Sequence, residues 1–240
     1  AQVEPPPRLA FATAERLVDL ANVERLDDDA RAAVGHADRA VAILEALTAR
    51  RPTDLAYQAE LATAYNLVGE LRRNTGSLDS ALEAARKAQG ALDRLIREQP
   101  GVSSHSVALA TTYQLIGRSL AQSRKYAEAL AAFQRAVDLL EGQTGLDAAS
   151  HYNLASTLSL ALSLIGARDG SPPPDDVEKL GVGDKLRRKL YADRAMEALR
   201  QAVADGFNQI EVFRTDPALD PLRPRDDFQK LVADLAAAKP

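Results

Sequence analysis

Residues 14–140 carry one pattern three times at a spacing of 48 residues, and that periodicity limits the fold more than any other feature of the chain. Leu17, Tyr65 and Tyr113 fall in register, as do Leu20, Val68 and Ile116, and then the small residues Ala21, Gly69 and Gly117. Further along, Ala33, Ala81 and Ala129 coincide, followed by Ala40, Ala88 and Ala136 and by Leu44, Leu92 and Leu140. Similarity at a fixed period marks a stacked array, in which each unit buries its apolar face only against its neighbours. Apolar residues recur with the helical period and β-branched alternation is absent, so helices and no strands are expected.

The helical pattern runs in pairs: 8–24 with 28–50, 54–75 with 78–98, 103–123 with 126–141, and 146–166 with 184–206. Asp27–Asp29 and Ser77 offer N-cap oxygens before second helices, while Pro52, Pro100 and Gly145 interrupt the chain between pairs. Small residues at 69, 81, 117 and 129 let backbones approach, and Tyr65, Tyr113, Leu92, Phe133 and Leu140 are expected to fill the space beside them. The resulting layout is an extended lead-in at 1–7 ending in Pro5-Pro6-Pro7, three helix pairs over 8–145, and a fourth over 146–206. The fourth is interrupted by an exposed loop at 167–185, which contains Ser171-Pro172-Pro173-Pro174 and Gly181-Val182-Gly183. Residues 207–240 read as a C-terminal cap, with Asp216-Pro217 and Asp220-Pro221 starting short helical turns and Phe228, Leu231, Val232 and Leu235 on one helix face. Phe228 and Leu231 are expected to pack near Leu199 and Val203.

Composition narrows the function classes. Of 240 residues, 46% are apolar and 27% charged, with no Trp and no Cys. Lack of Cys removes disulfides, thiolate zinc sites and Cys nucleophiles. A net charge of −4 supplies no electrostatic reason to expect nucleic acid or anionic lipid. Pro100–Gly117 and Ala148–Ala167 are long uncharged stretches, but their Ser, Thr, Gln, Asn and His content suits helices buried among helices rather than lipid. The chain opens on Ala1 with no basic-then-apolar leader, so it reads as a processed protein or as the C-terminal piece of a larger one.

These positions resemble the tetratricopeptide repeat (TPR). In the third unit Tyr113, Ile116, Gly117, Leu120, Tyr126, Ala129, Phe133 and Ala136 match its signature position by position. The second unit keeps Tyr65, Val68, Gly69, Ala81 and Ala88 but has Ala85 where a bulky residue belongs. The first retains Leu17 and Ala21, and the fourth is similar through Tyr152-Asn153-Leu154-Ala155 and then Ala195, Leu199 and Ala202. The period departs from the family's 34 residues and implies longer helices. The resemblance implies an all-α fold, a right-handed TPR-like α-α superhelix of about four long helix pairs with a C-terminal capping helix. The tail is similar to the C-terminal end of TPR regions on bacterial eukaryotic-like serine/threonine protein kinases, through Tyr191–Met196, Leu199–Val203, Asp216–Arg223 and Asp227-Phe228. No His-Arg-Asp, Asp-Phe-Gly or glycine-rich strand loop occurs, so on that likeness this chain is the non-catalytic part.

Chemistry-bearing motifs are sparse. His36, His105 and His151 lack metal spacing. Gly181-Val182-Gly183-Asp184-Lys185 lacks the phosphate-loop pattern. Asp27–Asp29 and Asp175-Asp176 lack the calcium-loop pattern. No catalytic residue, metal or cofactor is expected. In the TPR family first helices line a concave groove, and its positions map onto Asn66, Glu70, Arg73 and Asn74, onto Gln114, Arg118 and Gln122, and onto Asn153 and Ser156. Such a groove implies a protein or peptide partner, with no nucleic acid and no membrane contact by the chain itself. A homodimer scaffold with no peptide ligand is the alternative.

Overall fold

The computed structural model describes residues 6–26, 29–174 and 176–237. Ten α-helices account for most of them: α1 (Pro7–Leu26), α2 (Ala30–Arg50), α3 (Leu55–Asn74), α4 (Leu78–Glu98), α5 (Ser103–Gln122), α6 (Tyr126–Glu141), α7 (Ala148–Leu164), α8 (Val182–Ala204), α9 (Ile210–Thr215) and α10 (Asp226–Ala237). Two 3-10 segments, Val177–Lys179 and Pro217–Leu222, complete the order. Among the described residues the only β-type pairing is a single bridge from Arg168 to Ser171. The fold is all-α, built from consecutive packed helices. Most of the expected lead-in and the cap candidates Asp27 and Asp28 lie outside the described residues, whereas Pro7 already belongs to α1.

The chain divides into two compact units, Ala1–Ser119 and Leu120–Pro240, with the division inside α5. In the first unit α1 packs on α2, α2 on α3 and α3 on α4. Its core is rich in alanine: Ala14, Ala21, Ala33, Ala37, Ala40, Ala64 and Ala88 are fully buried beside Leu44, Val68 and Leu71. Small side chains on facing ridges bring the helix axes close, and the larger residues fill the gaps between them. Gly69 marks a close approach between helices. A Cβ there would lie 2.6 Å from Leu115 Cδ2 and 3.3 Å from the Ala81 carbonyl oxygen, so glycine at this repeat position serves packing. Tyr65 and Leu92 are buried as expected; Tyr113 is half-buried, and its hydroxyl accepts a hydrogen bond from Gln89 Nε2 at 3.1 Å.

Helix ends follow local rules. Asp29, Asp54 and Asp147 cap α2, α3 and α7 by accepting from Ala32, Tyr57 and Ser150 amides. Ser77 makes no such bond, so that expectation fails. α3 ends in a Schellman motif: Ser77 N donates to Arg72 O at 2.8 Å and Gly76 N to Arg73 O at 3.0 Å, with Gly76 at φ 81°. α8 ends the same way around Gly206 at φ 103°, and α5 around Arg124 at φ 61°.

In the second unit α6 packs on α7 and α7 on α8, burying Phe133, Leu140, Leu158, Met196 and Leu199. α7 is one of the uncharged stretches, and it is a buried helix whose hydroxyls turn inward. Ser156 and Thr157 both donate to Asn153 O, at 3.0 and 2.6 Å. No helix among the described residues is long and apolar enough to cross a membrane.

The 17-residue connection from α7 to α8 is exposed in sequence character but docked at both ends. Asp169 accepts from Ala127 N at 2.8 Å, capping α6 from a distance, and Gly170 N donates to Arg124 O at 3.0 Å. At the other end Leu180 is buried over Gly166, where a Cβ would lie 2.2 Å from Leu180 Cδ2.

After Gly206 the chain folds back over this unit. Phe207 stacks on Tyr152 with ring centroids 4.5 Å apart, and Phe213 meets both rings edge-on. The Pro217–Leu222 turn covers α7, and α10 leans on α9 and α8. Phe228 is buried as expected but Leu231 is only half-buried, because the aromatic cluster on α7 takes most of the covering role assigned to α10. Arg225 ties α10 to α8 by pairing with Asp193 and Asp227 at 2.9 Å each.

Candidate functional site

The 48-residue period is a physical register in the first unit. Glu70 on α3 and Arg118 on α5 are equivalent residues of successive repeats, and Arg118 Nη1 donates to Glu70 Oε1 at 2.7 Å. Arg73 Nε donates to the other carboxylate oxygen at 2.8 Å, and Arg73 Nη2 reaches Asn74 Oδ1 at 2.6 Å. One turn earlier, Thr112 Oγ1 donates to Asn66 Oδ1 at 3.0 Å and also to Ala108 O at 3.1 Å. Thus a polar strip crosses α3 and α5 as two separate hydrogen-bonded groups, Asn66 with Thr112 and Glu70 with Arg73, Asn74 and Arg118. Asn74 is exposed, and Asn66, Glu70, Arg73, Gln114 and Arg118 are half-buried. The Glu70 carboxylate thus accepts from two guanidinium groups, one at each oxygen.

The remaining candidates belong to the second unit. Gln122 is exposed at the end of α5, and Asn153 is half-buried on α7. Ser156 is only 8% exposed and its hydroxyl is bound to its own helix, so it offers little surface. The mapped register placed it on the groove side, but α7 is covered more fully than α3 and that face turns into the core.

Sequence reasoning missed an acidic edge between α1 and α3 of the first unit. Glu60 on α3 is held above the usual carboxylate range, first by burial and then by the charges of Glu15 and Asp19 on α1. The available signal was that Glu60 is the one charged residue in an otherwise neutral Leu55–Gly69. Thr112 was also missed, since a threonine on a helix reads as filler until its hydroxyl is seen bridging two helices.

Histidines are used structurally. His36 Nδ1 lies 2.8 Å from Glu24, and His105 Nε2 2.9 Å from Gln99. His151 Nδ1 lies 2.8 Å from Asp205 Oδ2, an ion-pair distance without hydrogen-bond alignment. These two residues line a cleft of about 450 Å³ with Leu140, Glu141 and Gln201, and none of the groove candidates reaches it. Among the described residues no group of three or more His, Asp or Glu could hold a metal ion.

No protein-family model matches this chain, and no curated protein matches it. Solved structures that are similar include MamA, at 15% identity and a TM-score of 0.39 over 90% of this chain and 92% of that one. The nearly identical TPR-like repeats of a Podosopora anserina kinesin light chain match at 16% identity and a TM-score of 0.44, over 98% and 96% of the two chains. BtubC (BKLC) from P. vanneervenii matches at 17% identity and a TM-score of 0.46, over 98% and 92%.

Proposed function

We propose that the chain is a non-catalytic TPR-type protein-interaction module whose first-helix face in the Ala1–Ser119 unit holds a segment of a partner polypeptide. The observation that carries this reading is the polar strip made by Asn66 with Thr112 and by Glu70 with Arg73, Asn74 and Arg118, in which Glu70 and Arg118, equivalent residues of successive repeats, stand side by side. Paired charges and amide edges at fixed spacing suit a partner's backbone amides and carbonyls better than a strongly charged ligand. Replacing Asn66 and Gln114 with Ala should release the partner captured by the wild-type chain, while stability changes by no more than about 1 kcal/mol. Retention of every captured partner by the double variant overturns the proposal.

We further propose, on the Tyr191–Val203 and Asp216–Phe228 motifs, that the module is the C-terminal region of a bacterial-type serine/threonine kinase. The upstream reading frame tests this: a frame without kinase motifs rejects it. Self-association is favoured by one specific observation. α1 exposes Leu9, Leu20, Val23 and Leu26 at 58%, 41%, 53% and 74%, an apolar face of the kind that marks contacts between chains. Light scattering of the wild type and of L20Q/V23Q separates the readings, since a dimer built on α1 becomes a monomer in the variant.

A further inference from the structure

α8 begins well before it meets its core. Its packed side starts with Tyr191, Ala192 and Ala195, yet the helix opens at Val182. Over those first turns Val182, Leu186 and Leu190 are 77%, 63% and 53% exposed. Spaced i, i+4, i+8, they form one row along the helix, drifting by about 40° per step. That row faces away from the side that carries Tyr191, Ala195 and Leu199.

Cations flank the row. Val182–Leu190 holds Lys185, Arg187, Arg188 and Lys189 against the single carboxylate of Asp184, in a chain whose net charge is −4. Asp184 and Arg188 are half-buried on the packed side, and Arg188 Nη1 donates to Ile165 O at 3.4 Å. Lys185 and Lys189 border the row on one side and Arg187 on the other. Lys185 Nζ pairs with Glu178 and Lys189 Nζ with Asp193, each at 2.6 Å, while Arg187 has no partner among the described residues. The Lys185–Glu178 pair also holds the Val177–Lys179 turn against α8, adding Val177, 43% exposed, and the exposed Lys179. Past Leu190 the same face of the helix carries Asp193 and Glu197, so the apolar stretch ends there.

We infer that the amino-terminal half of α8 is a membrane-surface contact, which rests Val182, Leu186 and Leu190 in the interfacial layer of a bilayer containing anionic phospholipid. Three features favour lipid over an acidic protein. The row is a convex ridge, too open to be a groove wall, and a bilayer is a partner that deforms around a ridge. Its makeup is aliphatic and lysine-bearing, whereas protein interfaces are poor in lysine. Arg187 on one flank, and Lys185 and Lys189 on the other once they exchange Glu178 and Asp193 for phosphate, can lie along the apolar surface with their heads at the phosphate level, the arrangement found in helices lying at the membrane interface. The charge balance of the whole chain concealed this, because it averages a local run of four cations with the rest of the 30 basic and 34 acidic residues.

The test is cosedimentation of the full chain with vesicles of pure phosphatidylcholine and with vesicles containing about one third phosphatidylserine, at low and high salt. Wild-type protein is expected to sediment with the anionic vesicles alone and to be released by salt. L186Q/L190Q and R187E/K189Q should each lower the bound fraction by roughly tenfold, since each cation near an anionic surface contributes appreciably. The altered side chains are exposed, so helicity by circular dichroism should be unchanged; either pair alone suffices if the other disturbs folding. Failure of the wild type to sediment at low salt overturns the inference, as does undiminished binding by both variants. Tighter binding to soluble polyglutamate than to vesicles, lost in R187E/K189Q, also overturns it and assigns the ridge to an acidic polypeptide.

Discussion

The turns after α3 and after α5 occupy the same place in successive repeats, and both close with the same pair of backbone bonds. Position 76 is glycine and position 124, one period later, is arginine, at φ 81° and 61° respectively. Glycine accepts the left-handed conformation without a Cβ clash, whereas arginine is strained there. The next helices differ in parallel. α4 follows Ser77 and α6 follows Lys125, and neither residue supplies a capping side chain. Only α6 is rescued, by Asp169 and by Gly170, which bind the Ala127 amide and the Arg124 carbonyl. A regular turn thus stands alone, and a strained one is buttressed by a loop from more than forty residues away.

The sharpest way to break that contrast is to displace the loop. Gly166→Ala forces a Cβ into both a left-handed backbone and Leu180, and should destabilise the Leu120–Pro240 unit by about 2–4 kcal/mol in denaturant unfolding. Wild-type stability in that variant would mean the loop does not need its anchor. Asp169→Ala should cost about 1 kcal/mol, as loss of a cap does, and Ser77→Ala almost nothing, because Ser77 makes no cap bond. Equal costs for the two would erase the distinction between the turns.

Relieving the strain is a smaller effect of opposite sign. Arg124→Gly should raise stability by about 0.5–1 kcal/mol, the left-handed penalty less the added chain entropy of glycine. The smallest effect lies at the acidic edge of the first unit. Because the folded-state pKa of Glu60 is raised above its ordinary value of 4.5, its ionised form is disfavoured by folding, and the cost appears as pH rises through the raised value. Glu60→Gln should therefore stabilise by about 0.3 kcal/mol at neutral pH, discounted for solvent screening, and make no difference below the ordinary carboxylate range. A shift that persists in acid would indicate packing rather than charge.

Much of the architecture was legible from residue spacing. Helix boundaries, the pairing of neighbours and the close approach at Gly69 follow from side-chain periodicity and size, which act over three or four residues and repeat every 48. The same register set Glu70 and Arg118 at equivalent positions of successive units. It misjudged positions whose fate depends on what lies beyond the repeat. Leu20 shares its register with Val68, yet it is 41% exposed where Val68 is 3%, because no described helix covers that side of α1. Ser156 shares the groove register and is buried, because α7 is enclosed by the aromatic C-terminal turn.

What the sequence by itself determined is therefore local and periodic: four helix pairs and a last amphipathic helix, their order, and where small residues let backbones meet. Tertiary structure alone decided that Asp169 caps a helix 42 residues earlier in the chain, and that Thr112 and Arg118 lock the polar strip on α3. It alone decided, too, that the first turns of α8 stand free of their core with Val182, Leu186 and Leu190 outward. The physical reason is that helix formation is read from hydrogen bonds four residues apart, whereas a side chain's partners are set by which distant surfaces packing brings within a few ångströms.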